Sequence, residues 1–129
     1  MGKVQQQTGK RFEDELLELL KDQGFRAHKL KTGISGTAFD IMAVKDSRAL
    51  AFECKTIQDG NYISYTQELR KKIDELDWYE DGGKNDLYLV VRFGGCDIRF
   101  LRWGCAKKLL AESGRIGRGQ MSDIRGLLW

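Results

Sequence analysis

Asp40, Glu53 and Lys55 place two carboxylates and an ammonium inside apolar, β-prone sequence. Asp40 sits in the run Gly36-Thr37-Ala38-Phe39-Asp40-Ile41-Met42-Ala43-Val44. A short polar turn follows at Lys45 to Arg48, and the second run, Ala49 to Thr56, carries Glu53-Cys54-Lys55. Two such runs joined by a turn read as a β-hairpin. Residues two apart in a strand share a face, so Glu53 and Lys55 project together while Phe52 and Cys54 project oppositely. Pairing across the turn sets Asp40 beside Glu53. Close carboxylates repel each other, and a divalent cation, which prefers hard oxygen ligands, turns that repulsion into a binding site. The plainer alternative is a surface hairpin carrying an ion pair.

The flanking sequence supplies the elements that must hold this hairpin. From Thr8 onward Phe12, Leu16, Leu17, Leu19 and Leu20 recur at helical spacing, and Gly24 stops the helix before Phe25. Glu13 falls on the inward edge of that stripe, in line with Leu17 and Leu20, where an acid needs a partner. Arg26 to Thr32 reads as a strand with a basic edge, running into the loop Gly33-Ile34-Ser35-Gly36. Small residues there either let a backbone approach a ligand or simply make a turn. After the hairpin, Gln58 to Tyr62 reads as a polar loop, and Ser64 or Thr66 caps a helix to about Tyr79 whose stripe is Tyr65, Leu69, Ile73 and Leu76. Arg70, Lys71 and Lys72 read as solvated surface. Asp81 to Asn85 is a loop, Asp86 to Phe93 a largely buried strand, Cys96 to Trp103 a further strand, and Cys105 to Glu112 a short helix.

Through these residues the chain resembles the PD-(D/E)xK nuclease superfamily, with Phe39-Asp40 where the name has Pro-Asp. More narrowly, Glu13 to Phe25 (EDELLELLKDQGF), a basic strand, the Ser35-Gly36 turn, Asp40-Ile41 and Glu53-Cys54-Lys55 resemble the archaeal Holliday junction resolvases and related phage resolvases, over roughly residues 9 to 95. The order helix, three strands, helix, strand agrees with the αβββαβ core of that superfamily. The resemblance therefore implies an α/β, restriction-endonuclease-like fold, a central mixed sheet flanked by helices with the strand near Cys96 to Trp103 as an addition.

Carried over by position, the site is Glu13, Ser35, Asp40, Glu53 and Lys55. Gln67 joins it because many members of the superfamily place a glutamine on the helix after the Glu-x-Lys strand; a solvent-facing helix residue is the alternative. Phosphodiester hydrolysis needs an activated water and relief of the charge that builds on phosphate. The resemblance implies a magnesium ion, replaceable by manganese, on Asp40, Glu53 and the backbone carbonyl of Cys54. Lys55 then orients or deprotonates the water, or stabilises the phosphate, and Glu13 holds a metal-bound water or a second ion. The implied activity is structure-selective cutting of four-way DNA junctions by a homodimer. A nuclease acting on flaps or duplex, and a non-cutting DNA-binding module, are the alternatives.

Composition is consistent with this. The 129 residues, 41% hydrophobic, suffice for one core. We expect a polar, flexible lead over residues 1–8, a nuclease domain over 9–112 and a Gly/Arg-rich tail over 113–129. The tail is either a phosphate-binding arm or a segment that packs Leu127-Leu128-Trp129 on the domain or a partner subunit. No apolar run approaches the ~20 residues of a membrane span and residues 1–10 do not resemble a signal peptide, so a cytoplasmic protein is expected. Cys54, Cys96 and Cys105 lack the spacing of a zinc site or disulfide framework, and one histidine, His28, builds no site alone. The net charge is only +3, but Lys10, Arg11, Arg26, Lys29, Lys31, Arg115 and Arg118 form basic groups suited to DNA phosphates, or else to ordinary solvation.

Overall fold

The computed structural model describes residues 2–29, 40–57, 60–64, 86–94 and 97–128, the first nine of these by backbone alone. The leading helix, α1, spans Gly2–Asp22. It starts six residues before the expected Thr8, in place of a flexible lead. Lys3 and three glutamines are good helix formers, and lengthening an existing helix costs far less than nucleating one. Phe12, Leu16 and Leu20, spaced by four, are fully buried, which stabilises by roughly 1.5–3 kcal/mol each relative to exposure. Gly24 ends the helix at φ +88°. Its N–H donates to the Lys21 carbonyl at 3.0 Å, and that of Phe25 to the Leu20 carbonyl at 2.9 Å, the bond pair of a Schellman stop.

The strands are β1 (Arg26–Lys29), β2 (Ile41–Lys45), β3 (Arg48–Thr56), β4 (Tyr62–Ser64), β5 (Asp86–Arg92), β6 (Ile98–Arg102), β7 (Arg115–Gly117) and β8 (Ser122–Asp123). Six form one mixed sheet in the order β1-β2-β3-β5-β6-β8, and β4 pairs with β7 in a small second sheet. The expected hairpin is β2–β3: Lys45 faces Arg48 across a two-residue loop, where Asp46 takes φ +54°, a conformation its short polar side chain tolerates. β3 runs parallel to β5, from Leu50 opposite Asp86 to Thr56 opposite Arg92. These two central strands are covered on both faces, which explains their apolar runs Ala49 to Phe52 and Leu87 to Val91.

Two apolar layers flank the sheet. On one side Phe12, Leu16 and Leu20 meet Ile41, Leu50, Phe52, Tyr88 and Val90. On the other, Ala51, Leu87, Leu89 and Val91 meet Trp103, Ala106 and Leu110 of a second helix, α2 (Trp103–Ser113). The result is the α/β architecture expected, a mixed sheet between helices. Ser64, one of the two expected helix caps, instead ends β4, paired with Arg115; residues 65–79, their apolar stripe and the loop at 81–85 lie outside the described residues.

The chain beyond residue 112 is no separate arm. Gly114, at φ +74°, caps α2 by donating its N–H to the Leu110 carbonyl at 2.9 Å. Next come β7, a 3₁₀ turn (Arg118–Gln120), β8 on the sheet edge beside β6, and a last turn, α3 (Arg125–Leu128). Ile116, Met121, Ile124 and Leu128 are buried, so this segment completes both cores. β4 also differs from the expected polar loop: Ile63 faces Ile116 and both are buried. Its partner strand lies some fifty residues downstream, beyond the reach of local sequence patterns.

Candidate active site

β2 and β3 deliver the acidic cluster. Their pairing begins at Ile41 opposite Phe52, and Asp40 is tied in one step beyond. Its N–H donates to the Phe52 carbonyl at 2.9 Å, and its Oδ2 accepts the Cys54 N–H at 2.8 Å. One carboxylate oxygen of Asp40 is thereby fixed to the backbone between Glu53 and Lys55. Glu53 stands opposite Leu89 and Lys55 opposite Val91, both members of the α2-side layer. Phe52 and the half-buried Cys54 belong to the α1-side layer. Glu53 and Lys55 therefore leave the strand together, on the face away from α1, as strand alternation requires.

Glu53 is 0% exposed, the one charged residue fully buried among the described residues. Lys55 Nζ lies 3.9 Å from its Oε1 and keeps 30% of its own side chain in solvent. Burying a carboxylate costs several kcal/mol, so an acid in this position is a local conflict with stability of the kind that functional sites tolerate. No three His, Cys, Asp or Glu side chains gather at one point among the described residues. Asp40 and Glu53 offer two hard oxygen donors on adjacent strands. That matches the usual protein share of a magnesium site, one or two carboxylates with water and substrate phosphate completing the octahedron.

Glu13 is carried by α1 toward the β1 edge. α1 packs on the Phe52 side of the sheet, and the Glu13 carboxylate lies 3.8 Å from Lys29 on the outer strand β1. Lys29 in turn donates to Asp14 at 2.8 Å. The Asp14 hydrogen bond, helped by the charges of Asp14 and Glu13, holds the Lys29 ammonium above its ordinary range against a smaller opposing effect of burial. Lys29, expected on the DNA surface, is thus engaged by two acids. Ser35, Gln67 and Lys31 lie outside the described residues, and Lys10 is described by backbone alone. Arg11 and Arg26 are exposed on α1 and β1, and Arg115 and Arg118 on the segment after α2.

Sequence reasoning missed the residues that hold Arg118 in place. Its Nε pairs with Asp97 at 2.5 Å. Arg99 Nε also pairs with Asp97, at 3.0 Å, while Arg99 Nη1 donates to the carbonyls of Arg118 at 3.1 Å and Met121 at 3.3 Å. The Arg118 N–H donates to the Asn61 carbonyl at 2.7 Å. Contacts between segments twenty to sixty residues apart leave no local signature. The opposite face carries a cavity of about 930 Å³ between α1 and the β8 edge, lined by Asp14, Glu15, Glu18, Asp22 and Asp123 together with Arg11, Arg92 and Arg125. Arg92 pairs with Glu15 at 3.0 Å and Arg125 with Asp123 at 3.0 Å. Acids exceed arginines there, so the cavity itself carries net negative charge.

Three comparisons with known proteins bear on this geometry. The family model described as archaeal Holliday junction resolvase (hjc) matches residues 4–116. The crossover junction endodeoxyribonuclease Hjc of Methanocaldococcus jannaschii is 32% identical over 87 residues, which is 67% of this chain and 60% of that protein's length. The structure of Hjc from Archaeoglobus fulgidus, described as a Holliday junction resolvase from an archaeal hyperthermophile, superposes with a TM-score of 0.70, covering 94% of this chain and 100% of that one at 22% identity. At that identity the superposition speaks to the fold.

Proposed function

The chain belongs to the archaeal Holliday junction resolvase family, and from that premise we propose that it is an endonuclease hydrolysing phosphodiester bonds at four-way DNA junctions, with Asp40, Glu53 and Lys55 as its catalytic group. The observation that carries this reading is Glu53: a fully buried carboxylate that shares a strand face with Lys55 and lies next to the anchored Asp40. A buried carboxylate beside a lysine and a second acid is the grouping that phosphate hydrolysis needs.

Asp40, Glu53 and the Cys54 carbonyl would hold a divalent cation of the magnesium class, with manganese as a substitute. When bound, such an ion supplies positive charge to the phosphate oxygens and lowers the pKa of a water molecule. The remaining work falls to the chain. The hydrogen bond from Cys54 N–H orients Asp40 and leaves its second oxygen for the ion. Lys55 reaches solvent from the same face and meets the scissile phosphate, offsetting its charge or positioning the attacking water. Ser35 and Gln67 are proposed to line the same site, and Glu13 to enter it through water. Lys10, Arg11, Arg26, Lys31, Arg115 and Arg118 are proposed as phosphate contacts. A homodimer, with two sites for two strands, is the assembly that suits a four-way junction.

The test is magnesium-dependent cleavage of a synthetic four-way junction beside flap and linear duplex substrates. Paired, symmetric nicks in the junction alone are expected. Glu53→Gln should lower cutting by at least a hundredfold while junction binding persists. A Glu53→Gln protein that cuts at the wild-type rate overturns the assignment of the site, and equal cutting of flaps or duplex overturns the junction preference.

A further inference from the structure

The β4–β7 ribbon carries an exposed aromatic residue whose placement the catalytic group does not explain. Tyr62 is 48% exposed, one of two large apolar residues so exposed among the described residues. Its neighbour Ile63 is buried, so β4 is anchored by one side chain and displays the next. Across the ribbon Tyr62 faces Gly117, while Arg115 sits diagonally, two residues away on β7. The Arg115 guanidinium lies 5.3 Å from the centre of the Tyr62 ring. With no side chain opposite at Gly117, the ring is flanked by arginine and about half in solvent. Gly117 is itself fixed, since its N–H donates to Gln120 Oε1 at 2.7 Å.

This ribbon lies on the same side of the sheet as Glu53 and Lys55. Ile63 and Ile116 belong to the same buried layer as Leu89 and Val91, the residues opposite Glu53 and Lys55. The segments Gly60 to Ser64 and Arg115 to Gln120 contain no acid and two arginines, in contrast to the acid-rich cavity on the α1 side. A held aromatic ring beside a planar cation, on a basic ribbon, has the composition of a base-stacking platform: bases offer π-faces and the adjoining phosphates are met by arginine.

We propose that Tyr62, backed by Arg115, stacks on a base exposed at the exchange point of branched DNA, and so makes the ribbon a specificity element for the junction. The inference rests on the resolvase reading above, and extends it. At an opened four-way junction the base pairs that flank the exchange point each present an unstacked face, whereas linear duplex presents none internally. Stacking there selects the branch without reading sequence. Arg118, held by Asp97 and by the Asn61 carbonyl, is placed to meet the neighbouring backbone.

The experiment compares wild type, Tyr62→Ala, Tyr62→Phe and Arg115→Ala, with cutting suppressed by EDTA. Each is measured for binding to a four-way junction, to linear duplex and to a single strand, and each is photo-crosslinked to junction carrying 5-iodouracil at the exchange point. Tyr62→Ala should bind the junction and the single strand roughly ten- to a hundredfold more weakly, the range for loss of one base–aromatic stack. Duplex binding should be nearly unchanged, and Tyr62→Phe should restore the wild-type values. The wild-type crosslink should map to Tyr62 by mass spectrometry. Equal weakening on junction and duplex, or a crosslink unaffected by Tyr62→Ala, overturns the proposal. If wild type fails to distinguish junction from duplex, the resolvase reading fails instead. The single-strand arm then decides the platform: a Tyr62→Ala protein that binds single strand as tightly as wild type rejects it as well.

Discussion

Glu53→Gln has a consequence for stability as definite as its effect on cutting. The substitution keeps the shape of a side chain that is 0% exposed and removes its charge. Withdrawing a carboxylate from water costs several kcal/mol even after the surroundings relax. The Lys55 ammonium, 3.9 Å from Oε1, returns at most ~4 kcal/mol at an effective dielectric constant of about 20. Because Lys55 is 30% exposed, solvent screens the pair toward the ~0–1 kcal/mol typical of exposed bridges. Set against the Lys55 pair, the charge is a net cost, and on that balance the glutamine protein should be more stable than wild type by about 1–2 kcal/mol in EDTA. For a domain of this size that raises the melting temperature by roughly 3–8 °C. Magnesium should reverse the order: at a hundred times its dissociation constant it adds ~2.7 kcal/mol to wild type and little to the glutamine protein. Thermal and urea melts of both proteins, in EDTA and along a magnesium titration, measure both effects. A glutamine protein less stable than wild type by 1 kcal/mol or more in EDTA, at unchanged urea m value, would show that the carboxylate is held for structural reasons. Equal magnesium shifts in the two proteins would place the ion elsewhere.

Two further outcomes test the segment after α2. Ile116→Ala should cost about 2–5 kcal/mol, since Ile116 is fully buried in the α2-side layer; a urea-melt difference below 1 kcal/mol would mean that this segment is an appended arm after all. Asp123 accepts from the Arg125 side chain and N–H, and these bonds hold its carboxyl down at about 2 from the ordinary 3.8. A depressed carboxyl pKa stabilises the folded state above the unfolded value and loses that contribution as pH falls through the folded one. The contact should therefore weaken between pH 4 and pH 2, and Asp123→Asn should flatten the fall of stability across that window. Identical curves for the two proteins would refute the assignment.

The parts legible in the sequence are those whose cause is local. α1 follows from apolar residues four apart and a glycine stop, the β2–β3 hairpin from two apolar runs across a polar turn, and β5 from an unbroken apolar run between a loop signal and a glycine turn. The shared face of Glu53 and Lys55 was legible because strand alternation fixes it, and the place of Asp40 beside Glu53 because the hairpin register does. The parts that escaped depend on distant partners. β4, β7 and β8 have three, three and two residues, too short for any period. Ile116, Met121 and Ile124 are isolated apolar residues among polar and glycine neighbours, and only the completed sheet shows that they face its two cores, whereas burial of Leu128 is one of the two readings the tail sequence allows. Glu13 was correctly marked as an acid needing a partner. Its nearness to Lys29 arises because β1 is the outer strand beside α1, a matter of topology.

β3 explains why the cluster can be both costly and accurate. Its alternate residues do different work: Leu50 and Phe52 are fully buried against the α1 layer, while Ala51, Glu53 and Lys55 point the other way. A one-residue slip of β3 against β2 and β5 would turn Phe52 out of its layer and drive Glu53 and Lys55 into contact with Phe12 and Leu16. Losing one such aromatic burial costs about 3–5 kcal/mol, and inserting an unpaired charge into apolar packing costs several more. Register is therefore enforced by residues that take no part in chemistry. The backbone hydrogen bond from Cys54 to Asp40 then transmits that register to the first acid, so the mutual placement of Asp40, Glu53 and Lys55 is set by the packing of Leu50 and Phe52. The same division explains the electrostatics of the two faces. α1 can carry a row of acids because its face of the sheet holds only apolar side chains at the centre. The β4–β7 ribbon, free of acids, shares the other face with the proposed site, where an acid would oppose the approach of phosphate.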